Sequence, residues 1–111
     1  MLRFHKKWGV TIEAYSSIGA EGSKLHEDAA MKQLAETKGC SVAQLAIAWA
    51  IKRGTIALVK TVKEERLAEN IEAAQIQLSD NEVAKIDALN KNLRMFDPAD
   101  WECMQNMPYF K

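Results

Sequence analysis

The feature that most constrains the fold is the continuous apolar run Thr55-Ile56-Ala57-Leu58-Val59. A strand without polar alternation is one covered on both faces, which is the habit of parallel sheets. Residues 10–16 supply a partner strand. There apolar and polar side chains alternate, with Val10, Ile12 and Ala14 on one face and Thr11, Glu13 and Tyr15 on the other. If the first set faces the helices, the Tyr15 ring points inward at the mouth of the sheet.

The intervening sequence reads as helical. Residues 17–24 hold two glycines and form a loop. A helix is expected over residues 27–38, with Met31, Leu34 and Ala35 on one stripe and Gly39 ending it. Ser41-Val42-Ala43-Gln44 matches a capping box and opens a second helix that runs to Arg53 and stops at Gly54. That helix is apolar nearly all round, as a helix must be when it packs on a sheet and against other helices. Residues 1–8 read as the last turns of a helix before Gly9. After Lys60 opens a loop, a third helix is expected over residues 64–74, with Glu64 and Glu65 in its first turn. A second capping box, Ser79 to Glu82, opens a fourth helix with Val83, Ile86 and Leu89 on its buried side. An irregular aromatic tail follows from Asp97, carrying Trp101, Tyr109 and Phe110. Strand, helices and strand imply a right-handed parallel crossover, within either a barrel or a doubly wound sheet.

Composition narrows the partners. Fifteen basic and fifteen acidic residues cancel, so the chain has no overall field to gather nucleic acid or an anionic membrane. The apolar run over residues 42–51 is broken by Gln44 and falls far short of the roughly 20 residues that cross a bilayer. The basic start does not read as a secretory signal, so a cytoplasmic address is expected. Cys40 and Cys103 stand alone, and His5 and His26 add no ligand spacing, which points away from a disulfide framework or a metal centre.

Ligands of parallel α/β folds lie at the carboxyl ends of the strands. Two segments fall there. Tyr15 offers a flat ring on which a planar group can stack. Lys60, Thr61 and Arg66 surround the start of a helix, where two cations, a hydroxyl and free amides suit a phosphate. Each charge-assisted hydrogen bond there is worth about 1.5–3 kcal/mol. Taken singly, each of these residue types is more often an ordinary solvated or rim residue. Met31 and Trp49 read as packing, and Ser41, Gln44, Ser79 and Glu82 as caps.

In order and context these motifs resemble the aldo-keto reductases, in particular the fungal branch of xylose reductases and glycerol dehydrogenases. Trp8-Gly9-Val10-Thr11-Ile12-Glu13-Ala14-Tyr15-Ser16 looks like the family's seventh barrel strand, and Ser41-Val42-Ala43-Gln44 opens a helix like the one that follows it. Lys60-Thr61-Val62 with Arg66, Glu69 and Asn70 is similar to the family's adenosine 2'-phosphate site. The resemblance implies an α/β chain forming part of a (β/α)8 TIM barrel: the end of helix 6, strands 7 and 8, their helices and the C-terminal loop. Residues 1–111 would be one partial oxidoreductase domain, with 95–111 its C-terminal loop or tail.

The implied cofactor is NADP(H), and the implied reaction is reduction of an aldehyde, ketone or aldose. Tyr15 would stack on the nicotinamide, and Ser16 and Ile18 would line the pyrophosphate. Lys60, Thr61, Val62 and Arg66 would hold the 2'-phosphate, Glu69 and Asn70 would meet the adenine, and Trp101 would touch substrate. Ser17 in place of proline and Ile18 in place of leucine are expected to loosen the loop, Thr61 in place of serine keeps the hydroxyl, and Phe96 stands where the xylose reductases have asparagine. The family's tyrosine, lysine, aspartate and histidine belong to earlier strands, so no catalytic residue is assigned and negligible turnover is expected of the chain alone. The implied partner is a small-molecule carbonyl substrate; a complementary reductase chain is expected only if the exposed strand edges dock a partner. Two other readings stay open: a non-enzymatic module that docks through exposed strand edges, and a simple NADP-binding module.

Overall fold

Three helices begin where a side chain satisfies amides that the helix itself leaves free. The computed structural model describes residues 2–19 and 23–92. Asp28 accepts from the Ala30 and Met31 amides and opens α2, Ala29–Lys38. Ser41 and Gln44 cap one another at the start of α3, Val42–Lys52, and Ser79 and Glu82 do the same for α5, Asp80–Asp87. Both capping boxes read from the sequence are present, and such a cap is typically worth about 1 kcal/mol. The helix expected from residue 27 starts later because Asp28 takes the cap position, and Leu25–Glu27 form a separate 3-10 turn.

Before these lie α1, Leu2–Lys7, and the strand β1, Ile12–Ala14. After α3 come β2, Thr55–Ala57, then α4, Glu64–Glu72, which tightens into a 3-10 turn at Ala73–Gln75 where a longer α-helix was expected. β1 and β2 pair in parallel, with Ile12 opposite Thr55, Glu13 opposite Ile56 and Ala14 opposite Ala57. The Leu58 amide extends the ladder by donating to the Ala14 carbonyl at 3.0 Å. The expected tail and its Trp101 lie outside the described residues.

Both strands are shorter than the sequence pattern suggested. β1 ends because Ser16 turns into the left-handed region at φ 53°, and Val10, expected to face the helices, is 52% exposed. β2 was expected to be covered on both faces. Instead Ile56 and Leu58 are 46% and 43% exposed, and only the side carrying Thr55 and Ala57 is half-buried, β2 packing on α3. Alternation along these strands therefore follows one covered face and one open face.

The core gathers around α3. Leu45 is fully buried, with Ala46 and Ala48 beside it, against Met31 and Ala35 of α2, Leu78, and Ile86 of α5. Leu34, Val83 and Leu89 pack on this cluster as half-buried neighbours, so the stripes read for α2 and α5 are the packed ones. Burying a leucine such as Leu45 stabilises the fold by about 1.5–3 kcal/mol. α4 buries no residue of its own; its hold comes from Gln44, whose amide donates to the Glu69 carbonyl at 3.0 Å, and from the fully buried Ala73. Among the described residues, no helix is long and apolar enough to cross a membrane.

One ion pair ties α2 to α5. Lys38 Nζ lies 2.9 Å from Glu82, which also accepts from the Ser79 amide and hydroxyl. The Lys38 hydrogen bond first, then those from Ser79, lower the Glu82 carboxyl to about 2. A lowered carboxyl stabilises the fold fully above its unfolded value of 4.5 and loses that effect as pH falls through about 2. Glu82→Gln is accordingly expected to lower the melting temperature at pH 6 and to make little difference near pH 2; an equal gap at both pH values would contradict this account.

Candidate functional site

Parallel pairing sends both chains out of the sheet at one end, so the turn after β1 and the loop after β2 leave side by side. Ser17 joins them. Its hydroxyl donates to the Ala14 carbonyl and lies 3.3 Å from the Leu58 carbonyl, linking the exits of both strands. The turn itself closes through the Gly19 amide, which donates to the Ser16 carbonyl at 2.8 Å. The serine provides a hydrogen bond that a proline side chain has no hydrogen to make.

Beyond this anchor lies a cleft of about 230 Å³. Ile18 reaches it from the turn, Lys60 and Thr61 from the loop after β2, and Arg66, Glu69 and Asn70 from α4. Six of the nine residues singled out for cofactor contact thus meet in one concavity, although Ile18 and Asn70 are far apart in the chain. The spacing of the last three follows from the helix: positions 66, 69 and 70 are three and four residues apart and lie on one face. Thr61 also serves its own loop, its hydroxyl accepting from the Lys63 amide at 3.1 Å. Lys63 is the N-cap of α4 and gives no side-chain cap, so the first amides of α4 lack the side-chain partner that α2, α3 and α5 possess. Glu64 and Glu65 occupy that first turn.

The other three residues stand apart from the cleft. Ser16 lies in the turn, Val62 is 84% exposed, and Tyr15 is 65% exposed. The inward direction expected for the Tyr15 ring rested on strand alternation, but β1 ends at Ala14, so pleating no longer dictates where that ring points. Trp101 lies outside the described residues.

Three lining residues escaped the sequence reading: His26, Ser41 and Ala43. Ser41 was read only as a cap. His26 carried no local signal at all, since its nearness to Arg66 arises from the packing of the Leu25–Glu27 turn and α4 on the same helix, α3.

The cleft can hold an anion. Lys60 and Arg66 supply positive charge beside the Thr61 hydroxyl and the Asn70 amide, and the small Ala43 side chain leaves room for a flat group. Other chemistry finds no support. Among the described residues no group of histidine, cysteine and acidic side chains could hold a metal ion. Burial pushes the Cys40 thiol up, against the opposing pull of Lys38, which keeps it a poor nucleophile. A larger cavity of about 540 Å³ lies beside α3 and α5, but three of its polar groups are already paired: the Trp49 indole and the Arg53 guanidinium both donate to Asp87, at 2.8 and 3.1 Å. Arg53 also stacks 4.6 Å from the Trp49 ring centroid. That cluster ties helix to helix.

Comparison with known proteins gives a consistent result. The profile of the aldo/keto reductase family matches residues 4–91. The chain is 37% identical to an aldo/keto reductase of Synechocystis sp., over 98% of this chain and 36% of that protein. It is 36% identical to the glyoxal reductase of Bacillus subtilis, over 81% of this chain and 32% of that protein. Its fold superposes on the Bombyx mori aldo-keto reductase solved in complex with NADP, with a TM-score of 0.79 and 30% identity, over 90% of this chain and 35% of that one. The chain spans about a third of the length of the curated relatives it matches.

The Ser17 anchor has a measurable consequence. Ser17→Ala leaves the Ala14 carbonyl its bond from Leu58 but removes the hydroxyl from both strand exits. A loss of about 0.5–1.5 kcal/mol in denaturant unfolding is expected; unchanged stability would show that the hydroxyl is replaceable by water.

Proposed function

Because the chain belongs to the aldo/keto reductase family, we propose that it carries the adenosine-phosphate side of the cofactor site of an NADPH-dependent carbonyl reductase. The observation that carries this reading is the meeting of Lys60, Thr61, Arg66, Glu69 and Asn70 in one cleft at the exit of two parallel strands. When bound, NADPH supplies a hydride to the carbonyl carbon of an aldehyde, ketone or aldose. Lys60 and Arg66 hold the 2'-phosphate through charge-assisted bonds, Thr61 adds a hydroxyl, and Val62 belongs to the same loop. Glu69 and Asn70 meet the polar edge of the adenine, one as acceptor and the other as both donor and acceptor. Ser16 and Ile18 line the pyrophosphate from the turn after β1, and the exposed Tyr15 ring offers a flat face to the nicotinamide.

In this reading β1 and β2 are the seventh and eighth strands of a (β/α)8 barrel, and α1 is the end of its sixth helix. Phosphate in such barrels is commonly bound after strands seven and eight, which agrees with the position of the cleft. The motifs around Tyr15 and Lys60 favour the fungal xylose reductase and glycerol dehydrogenase branch. No residue of the chain is assigned as the acid that protonates the carbonyl oxygen. The protein works in the cytoplasm on a small carbonyl substrate, with Trp101 as a substrate contact.

One observation favours a further partner. The open sheet face with Ile56 and Leu58 exposed suits docking of a complementary reductase chain, whose strands would cover apolar surface and pair with a free edge.

The 2'-phosphate is the only difference between NADPH and NADH, so it isolates the assignment. Arg66→Ala is expected to weaken NADPH binding about tenfold to a hundredfold while changing NADH binding little. Titration calorimetry with both cofactors measures this, and equal losses for the two would remove the phosphate from Arg66.

A further inference from the structure

We infer that Gln44 is a positioning residue for the cofactor cleft: its side chain spans from the cap of α3 to the Glu69 carbonyl and so sets the place of the α4 face that carries Arg66, Glu69 and Asn70. The inference rests on the cofactor reading above and adds a residue that reading does not use. α4 has few other holds. It buries no residue of its own, its N-cap Lys63 gives no side-chain bond, and Leu67 and Ile71 are exposed along it. Yet this helix supplies three of the side chains that line the cleft. Its last turn is where the hold is made. There the Glu69 carbonyl accepts from the Ala73 amide and, at 3.0 Å, from the side-chain amide of Gln44, which belongs to α3.

The chemistry of the tie requires an amide. Gln44 Oε1 accepts from the Ser41 amide at 3.0 Å, while Nε2 donates to the Glu69 carbonyl, so one planar group meets a backbone donor on one element and a backbone acceptor on another. A carboxylate of the same length only accepts, and an ammonium or guanidinium only donates. Gln44 is half-buried and held at both ends. Its two backbone partners, Ser41 and Glu69, both belong to residues that line the cleft. Arg66 and Asn70 sit three residues before and one residue after Glu69, so a shift of the backbone at Glu69 moves all three side chains together. A ligand held by α4 binds best when that face is fixed beforehand, because any ordering of the helix on binding is subtracted from affinity.

The test titrates the full chain with NADPH and NADH, well below the melting temperature of each variant so that loss of the fold does not enter. Gln44→Glu keeps an acceptor for the Ser41 amide and loses the donor to Glu69, and Gln44→Met loses both without adding charge. Each is expected to weaken NADPH about tenfold and NADH less, since Arg66 is displaced from the phosphate that only NADPH carries. In an Arg66→Ala chain the same substitutions are expected to weaken NADPH no more than NADH, the misplaced group being gone. Undiminished NADPH binding by both variants, while the parent chain binds, overturns the inference and leaves the cofactor reading standing. A loss with Gln44→Glu alone also overturns it, as an effect of the added charge, and so does an NADPH loss of full size without Arg66, as an effect that does not pass through α4. If the parent chain binds neither cofactor, the cofactor reading falls and this inference falls with it.

Discussion

The structure depends on covering α3. With Leu45, Ala46, Ile47, Ala48 and Ala50 all buried, this helix has no face it can turn to water, so every neighbouring element is arranged as its cover. α2 and α5 lay Met31, Ala35 and Ile86 against it, β2 runs back along it, and the turn that ends α4 seals it with Ala73. Apolar burial has no directional preference of its own. Direction comes from the caps: Asp28, Ser41 and Ser79 fix where three helices begin, and with them the angles at which their apolar stripes meet.

The functional surface is a by-product of that packing. Two parallel strands must leave the sheet at the same end, so the turn after β1 and the loop after β2 become neighbours whatever their sequences. Ser17 then ties the two exits, and Gln44 ties α3 to α4 through the Glu69 carbonyl. Between these two fastenings lies the cleft with Lys60 and Arg66. A chain whose acidic and basic residues balance overall can still present cations to an anion, because the field that matters is set within a few ångströms by which side chains face one concavity.

Local patterns were legible where a single element determines the outcome. Capping boxes at Ser41 and Ser79 were readable because donor and acceptor are three residues apart in the chain, whereas Glu69 and Asn70 were named only through the family resemblance. Misreadings arose where a distant neighbour decides. An apolar run at residues 55–59 looks doubly covered, yet whether anything lies on Ile56 and Leu58 depends on other elements, and their face is open. Tyr15 looked like the next residue of an alternating strand, but the left-handed turn at Ser16 closes the strand first. Ser17 was read only as a replacement for a proline, and its reach to the Leu58 carbonyl, 41 residues away, comes into view only in the fold.

By itself the sequence determined which segments are helices and strands, that the strands run parallel, and where the two capping boxes lie, since helical and strand periodicities are properties of adjacent residues. Only the tertiary structure decided that His26 and Ala43 line one cleft with Arg66, that one side of the sheet is open, and that Val62 and Tyr15 are not among the residues lining that cleft. The physical reason is that contact across a cleft depends on how separate elements pack on a common helix, and that packing leaves no trace in the order of neighbouring residues.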